Sequence, residues 1–324
     1  MTLRGVNLGG WLVAECWITP SLFENIDARN EYQLSKMPGG VERLRRHHRE
    51  FIQEDDIAWL AEQGIELLRV PVGHWIFGDP KPYIGTIDRL DWLIETTKKY
   101  DLQVLICLHG APGAQNAAEH SGSGNQQHDT RWLKNKAAQR QTIDVLCKIA
   151  DRYEQDTNIW GIELLNEPDI DRFGLRLARF HRRAYRALVR HARPGMQIVF
   201  SDAFHPWLTT NTFWLMKRRD FPVALDSHLY YCFGDAKQRT FTEQLKSVDR
   251  SSRLVWWLSK MQPVIVGEWS AMLPYKVGKN RTQQFISRQK DTYTRTIATC
   301  YWTYKTEAPG RWNYRWMIEN GYEP

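Results

Sequence analysis

Eight short apolar runs, separated for the most part by helical patterns, constrain this 324-residue chain more than any other feature. They are Leu3–Leu8, Glu66–Val72, Gln103–Leu108, Ile159–Leu165, Gln197–Ser201, Val223–His228, Pro263–Gly267 and Thr299–Thr303. Each has strand length, and several are apolar without alternation, as strands covered on both faces are. Helical patterns occupy Gly40–Gln63, Ile87–Tyr100, Trp132–Asp156, Phe173–His191, Thr242–Lys260 and Gln283–Thr296. In the second of these, Leu90, Leu93, Ile94 and Thr97 recur at i, i+3, i+4 and i+7, one face of a helix. Between Ser201 and Phe221 the pattern is unclear, because Pro206 interrupts it. This alternation is the rhythm of an α/β fold, a (β/α)8 TIM barrel, expected as a single domain over residues 1–324. A doubly wound open sheet shares the alternation, but no GxGxxG or GxxxxGK[ST] follows any strand. The polar stretch Gly110–Thr130 follows a strand end and reads as a βα loop over the site rather than a domain boundary.

Composition excludes several classes of function. With 42% hydrophobic residues the chain can fill one large core. No apolar stretch reaches membrane-spanning length, so no membrane partner is expected. A candidate strand starts at Leu3, which leaves no room for a secretory signal. A cytoplasmic location is therefore favoured, or a secreted one if a leader was removed. The five cysteines are scattered without CxxC spacing, so neither a zinc site nor a disulfide framework is signalled. The formal charge of +7 is concentrated in Arg43–Arg49 and Arg172–Arg193. These read as solvated helix faces; no nucleic-acid-binding signature accompanies them. Fifteen tryptophans exceed the need of a core, and aromatic faces pack well on the C–H faces of sugars.

In a barrel the reactive side chains gather where the strands end. Those ends carry Asn7 and Trp11, Arg69, His109, Asn166 and Glu167, His228 and Tyr230, Glu268 and Trp302. Two of these are glutamates following apolar runs: Glu167, before Pro168, and Glu268, before Trp269. Two facing carboxyl groups are what glycoside hydrolysis needs, about 5–5.5 Å apart in a retaining enzyme. Glu167 is the candidate acid/base, which must be protonated near neutral pH; Asn166 is placed to bond a sugar 2-hydroxyl. Glu268 is the candidate nucleophile, which must be ionised, with Arg69 as a buried cation and Tyr230 as a donor beside it. Glu163 reads as a structural ion-pair partner and Trp269 as packing. His109 and His228 orient the acids or bind sugar hydroxyls. Alternation puts Trp302 and Tyr304 on one face, with Trp302 under the reacting sugar. A metal centre is not expected, since Leu108-His109-Gly110 lacks an early-strand HxH pair.

Several long motifs carry a resemblance. The runs Arg4-Gly5-Val6-Asn7-Leu8-Gly9-Gly10-Trp11, Leu108-His109-Gly110-Ala111-Pro112-Gly113-Ala114-Gln115-Asn116, Leu165-Asn166-Glu167-Pro168, Gly267-Glu268-Trp269 and Trp302-Thr303-Tyr304-Lys305-Thr306-Glu307 stand in order along the chain. Together they resemble the exo-β-1,3-glucanases of glycoside hydrolase family 5. The resemblance implies a TIM barrel, a retaining two-glutamate mechanism without cofactor or metal, and a β-glucan or β-gluco-oligosaccharide substrate cleaved from its non-reducing end. It assigns catalysis to Glu167 and Glu268. Substrate binding falls to Glu15, Arg69, His109, Asn116, Asn166, His228, Tyr230, Phe233 and Trp302. One departure concerns the leaving sugar: a phenylalanine of the family's aromatic clamp is replaced by Ala118, while Phe233 matches its other half. An endo-β-glucanase, a β-glucosidase or a transglucosylase on the same barrel are the alternatives; a non-catalytic carbohydrate-binding barrel is more distant.

Overall fold

The apolar runs are buried on both faces, so they pair with one another and are covered by the helices between them. The computed structural model describes residues 2–122, 131–215 and 221–324. Eight parallel strands close in sequence order: β1 Leu3–Asn7, β2 Leu67–Gly73, β3 Gln103–Gly110, β4 Ile159–Glu163, β5 Gln197–Ser201, β6 Val223–Leu229, β7 Val264–Trp269 and β8 Ala298–Tyr301. Closure removes the unpaired sheet edges. Odd and even positions then divide the residues. Leu67, Leu105, Val199, Ala224, Ile265, Ala298 and Cys300 pack together as one buried cluster. Leu68, Val70, Ile106, Ile162 and Val266 join the larger cluster with the helices.

Around the barrel run α1 Glu31–Lys36, α2 Gly40–Glu50, α3 Glu54–Glu62, α4 Ile87–Lys99, α5 Arg131–Lys134, α6 Lys136–Arg152, α7 Leu175–Leu188, α8 Pro206–Leu215, α9 Phe241–Met261, α10 Lys279–Tyr293 and α11 Tyr314–Glu319. The periodic face of α4 is buried as its spacing demands, each Leu or Ile contributing about 1.5–3 kcal/mol relative to exposure. The expected helix Gly40–Gln63 is in fact two. Gln53 caps a second helix in a reciprocal box with Asp56, and that local satisfaction of helix-end donors restarts the helix. Between Ser201 and Phe221 the structure holds α8, with Pro206 as its first residue, where a missing N–H costs nothing. Residues 123–130 of the expected Gly110–Thr130 loop lie outside the described residues. Among the described residues no helix is long and apolar enough to cross a membrane.

Register decides which side chains meet. Asn7 lies opposite Arg69, Cys107 opposite Glu163, and His228 opposite Glu268. Polar residues in the layer above the apolar interior are thereby brought to one end of the barrel.

Candidate active site

Arg69 is the hub of that end. It is fully buried, and every donor of its fork is used. Nε and Nη2 donate to Glu163 at 2.8 and 3.1 Å, and Nη1 donates to Asn7 at 2.8 Å and to Glu268 at 2.9 Å. Nη2 also donates to Asn166 Oδ1 at 2.8 Å. A planar guanidinium suits this fixed, multidentate duty better than an ammonium would. Asp226 stands 3.7 Å from Nε and accepts from the Gly267 amide at 2.6 Å. Gly267 has no substitute there: a Cβ would fall 2.0 Å from Asp226 Oδ2.

Glu268 accepts from Tyr230 at 2.7 Å on the oxygen that Arg69 does not hold. Glu167 sits four residues beyond the end of β4, with φ at 39°, a left-handed conformation that non-glycine residues hold only under constraint. The constraint is visible. Pro168 follows it, and Asn116 donates to its carbonyl at 2.8 Å. Its Oε1 lies 2.6 Å from His228 Nδ1, and that same nitrogen is 3.5 Å from Glu268 Oε2. One oxygen of each glutamate and a nitrogen of His228 all fall within 4.8 Å of one another.

The charges are unevenly held. Burial opposes a charge on His228, but Glu268 and Asp226, with Glu167, raise it well above the ordinary histidine value. Burial pushes Glu268 up to about 7; Glu167 adds to that, while His228, Arg69 and Tyr230 oppose it. Burial also acts on Glu167, yet the His228 contact overrides it, and with His120 and Arg69 holds Glu167 down at about 2. Glu167 is thus held more acidic than Glu268, the opposite order to the one expected. Burial of Glu268 is the leading cause, and the imidazolium sits closer to Glu167 than to Glu268.

The two glutamates line a cavity of about 560 Å³ with Glu15, Trp17, His109, His120, Phe204, His228, Tyr230, Phe233, Trp302 and Trp312. Glu15 and His109 each bring a buried polar atom, Oε1 and Nε2, without a partner among the described residues. Burial holds the Glu15 carboxyl up at about 8, although Trp17 donates to it. Trp302 stacks on His109 with ring centres 5.5 Å apart. Tyr230, Phe233 and Trp312 form an aromatic cluster opposite.

Arg69, Asn116 and Asn166 stand behind this wall and hold its groups in place. Asn116 is committed to Ala118 N–H, the Glu167 carbonyl and His120. His228 Nδ1 lies 2.6 Å from Glu167 Oε1, and His109 packs on Trp302. Glu163 pairs with Arg69, and Trp269 packs between Tyr293 and Tyr301, as the sequence suggests. Tyr304 does not share the face of Trp302. Strand pairing ends at Tyr301, alternation ends with it, and Tyr304 turns away to donate to Asp56 at 2.6 Å. Sequence reasoning missed Trp17, His120, Phe204 and Trp312. They lie in the segments that follow β1, β3, β5 and β8, ten, ten, three and eleven residues past the strand ends, and only Phe204 is near enough to a strand end to have been signalled by position.

Glu163, Asp226 and His228 form a second close set of ligand-type atoms. Arg69, bonded to Glu163 and Glu268, already supplies the positive charge that a metal ion would bring there.

Opposed glutamates at the mouth of a closed parallel barrel make this fold and site those of a glycoside hydrolase. Residues 27–308 match the model for Cellulase (glycosyl hydrolase family 5), and the chain belongs to that family. It is 31% identical to "Probable glucan 1,3-beta-glucosidase A" of Emericella nidulans, over 99% of this chain and 90% of the relative. It is 29% identical to "Glucan 1,3-beta-glucosidase" of Kluyveromyces lactis, over 99% and 88%. Rutinosidase from Aspergillus niger superposes with a TM-score of 0.84 at 20% identity, covering 99% of this chain and 97% of that one, which speaks for the fold.

Proposed function

We propose that the chain is a retaining β-glucoside hydrolase acting from the non-reducing end of β-1,3-glucan or its oligosaccharides. The observation that carries this is the approach of the Glu167 and Glu268 oxygens to within 4.8 Å across one cavity, a closeness that favours direct attack by a carboxylate over attack through an intervening water. A single catalytic unit over residues 1–324 fits the strand ends that supply the site.

Glu268 attacks the anomeric carbon as Glu167 protonates the departing oxygen; the C–O bond breaks and its electron pair leaves with that oxygen. A glucosyl ester forms on Glu268. Glu167, now ionised, takes a proton from water, which displaces the ester and restores Glu268. The proton for the first step is at hand on His228, 2.6 Å from Glu167. Expulsion of water by the sugar favours the neutral His228–Glu167 pair over the ion pair, because desolvation penalises both charges. The partnerless atoms of Glu15 and His109 are buried where a sugar would satisfy them. Trp302 offers an apolar face, and Phe233 with Trp312 a platform for the leaving sugar. The β-1,3 preference and exo action rest on the named relatives at about 30% identity.

A time course on β-1,3-, β-1,4- and β-1,6-linked glucose oligomers tests the reading. Glucose from the first minutes, fastest from the β-1,3 series, is expected. Mixed oligomers at early times would overturn exo action. Glu268→Gln is expected to abolish turnover with the fold intact.

A further inference from the structure

The two ring nitrogens of His228 have different neighbours. Nδ1 lies 2.6 Å from Glu167 Oε1; Nε2 lies 3.5 Å from Asp226 Oδ2 and 3.4 Å from Arg69 Nη2. Arg69 has no hydrogen to spare for Nε2. The two hydrogens on its Nη2 are committed to shorter bonds, to Glu163 Oε1 at 3.1 Å and to Asn166 Oδ1 at 2.8 Å. Asp226 is short of a hydrogen on the same side. Its Oδ1 takes the Gly267 amide at 2.6 Å, while its Oδ2 is buried without a closer donor among the described residues. The other cation near that oxygen, Arg69 Nε at 3.7 Å, gives its one hydrogen to Glu163 Oε2 at 2.8 Å. A lone pair on Nε2 would face a carboxylate oxygen, whereas a proton there faces the anion that lacks one. At 3.5 Å the contact is longer than a good hydrogen bond, so its weight is electrostatic. The pairing is built in: the two residues stand two apart on β6, on one face of the strand, and both are buried.

We propose that Asp226 is a positioning residue for the proton that Glu167 donates: it keeps a proton on His228 Nε2, so that the proton exchanged with Glu167 is the one on Nδ1. With Nε2 held in this way the ring has two states. It is a cation beside an ionised Glu167, or a neutral ring whose Nδ1 accepts from a protonated Glu167. The two differ by one proton moved along the 2.6 Å contact. Without Asp226 the neutral ring can carry its one proton on Nδ1, bonded to an ionised Glu167 that then has nothing to donate. Asp226 acts through the ring, and its role rests on the acid/base reading above. The other titratable or charged groups facing the ring are Arg69 from β2, His109 from β3, His120 from the segment after it, Glu163 from β4, Glu167 beyond its end, Asp202 after β5 and Glu268 from β7. Glu167 and Glu268 meet Nδ1, and Asp226 meets Nε2. Burial opposes a second proton on the ring; Glu268 and then Asp226 restore it.

Asp226→Asn keeps the shape and removes the anion. If its oxygen keeps the Gly267 amide, its own N–H turns toward Nε2 and drives the ring proton to Nδ1. The variant is assayed on a β-1,3-linked glucose disaccharide and on dinitrophenyl β-glucoside, whose leaving group needs no protonation. On the disaccharide the alkaline limb of kcat/KM is expected to move down by about one pH unit, a loss of about tenfold above that limb. Little change in kcat/KM is expected on the dinitrophenyl substrate, which also shows that the variant is folded. Equal losses on both substrates, or an unmoved limb, would overturn the proposal. A second measurement needs no change at Asp226. Histidine-selective nitrogen NMR of the wild-type enzyme, with His228 assigned by the signals lost in His228→Gln, is expected to find Nε2 protonated at every pH and any proton lost on the alkaline side leaving Nδ1. Loss from Nε2 first would overturn the proposal. Glu167→Gln run alongside separates the two ideas: loss confined to the disaccharide upholds Glu167 as the acid whatever Asp226 does.

Discussion

Glu31 makes stability depend on pH in a way a single substitution can isolate. Its carboxyl is fully buried, accepting from Ala14 N–H at 2.9 Å and from Trp75 Nε1–H at 2.7 Å. It thereby ties the loop that carries Glu15 to the segment after β2. Burial raises it from the ordinary 4.5 to about 8, and the two donors only partly offset that. The sign follows from proton linkage. Below pH 4.5 the group is protonated folded and unfolded alike, and its contribution is fully present. Between 4.5 and about 8 only the unfolded chain releases the proton, so stability falls as pH rises; above about 8 the loss is complete. A shift from 4.5 to about 8 corresponds to at most about 5 kcal/mol. Glu31→Gln removes the titration but turns an amide N–H toward one of two N–H donors, a pH-independent cost of about 1–3 kcal/mol. Denaturant midpoints followed by tryptophan fluorescence should therefore place the wild type above the variant at pH 5 and below it at pH 8.5. Parallel pH profiles would refute the burial argument. Glu15, Glu268 and Asp202 also titrate high, but they are common to both proteins and cancel in the difference.

Two further outcomes follow from the hub of charges. Glu268 must be ionised to attack, so kcat/KM should fall as pH drops through about 7. Tyr230→Phe removes a hydrogen bond that favours the ionised form; it should move that acidic limb upward and lower kcat about tenfold, and a limb that stays in place contradicts it. Gly267→Ala drives a methyl into Asp226 and should cost about 3 kcal/mol or more of stability along with most activity. A Gly267→Ala enzyme of unchanged melting temperature and rate would contradict the packing described here.

The strands were legible because burial on both faces leaves an uninterrupted apolar run, and every observed strand falls within two residues of its expected ends. Helix ends were less so. The Gln53–Asp56 box sits inside a continuous amphipathic pattern, and Pro206, read as an interruption, begins a helix. Side chains projecting from strands, such as Arg69, His228 and Glu268, could be placed because register fixes their direction. His120 could not, since nothing local announces that two asparagines from different loops would lock its ring. The order of charge on the two glutamates was equally hidden. It depends on how deeply Glu268 is buried and on which carboxyl lies nearer His228, 2.6 Å against 3.5 Å, and no motif carries either.

Trapping with 2-deoxy-2-fluoro-β-glucosyl fluoride probes the nucleophile most directly, because the 2-fluorine slows both formation and breakdown of the ester while the fluoride leaving group speeds formation alone. Peptide mass mapping should find one fluoroglucosyl group on Glu268, removed again when an acceptor sugar is added. A label on any other residue, or turnover without a label, would contradict the assignment.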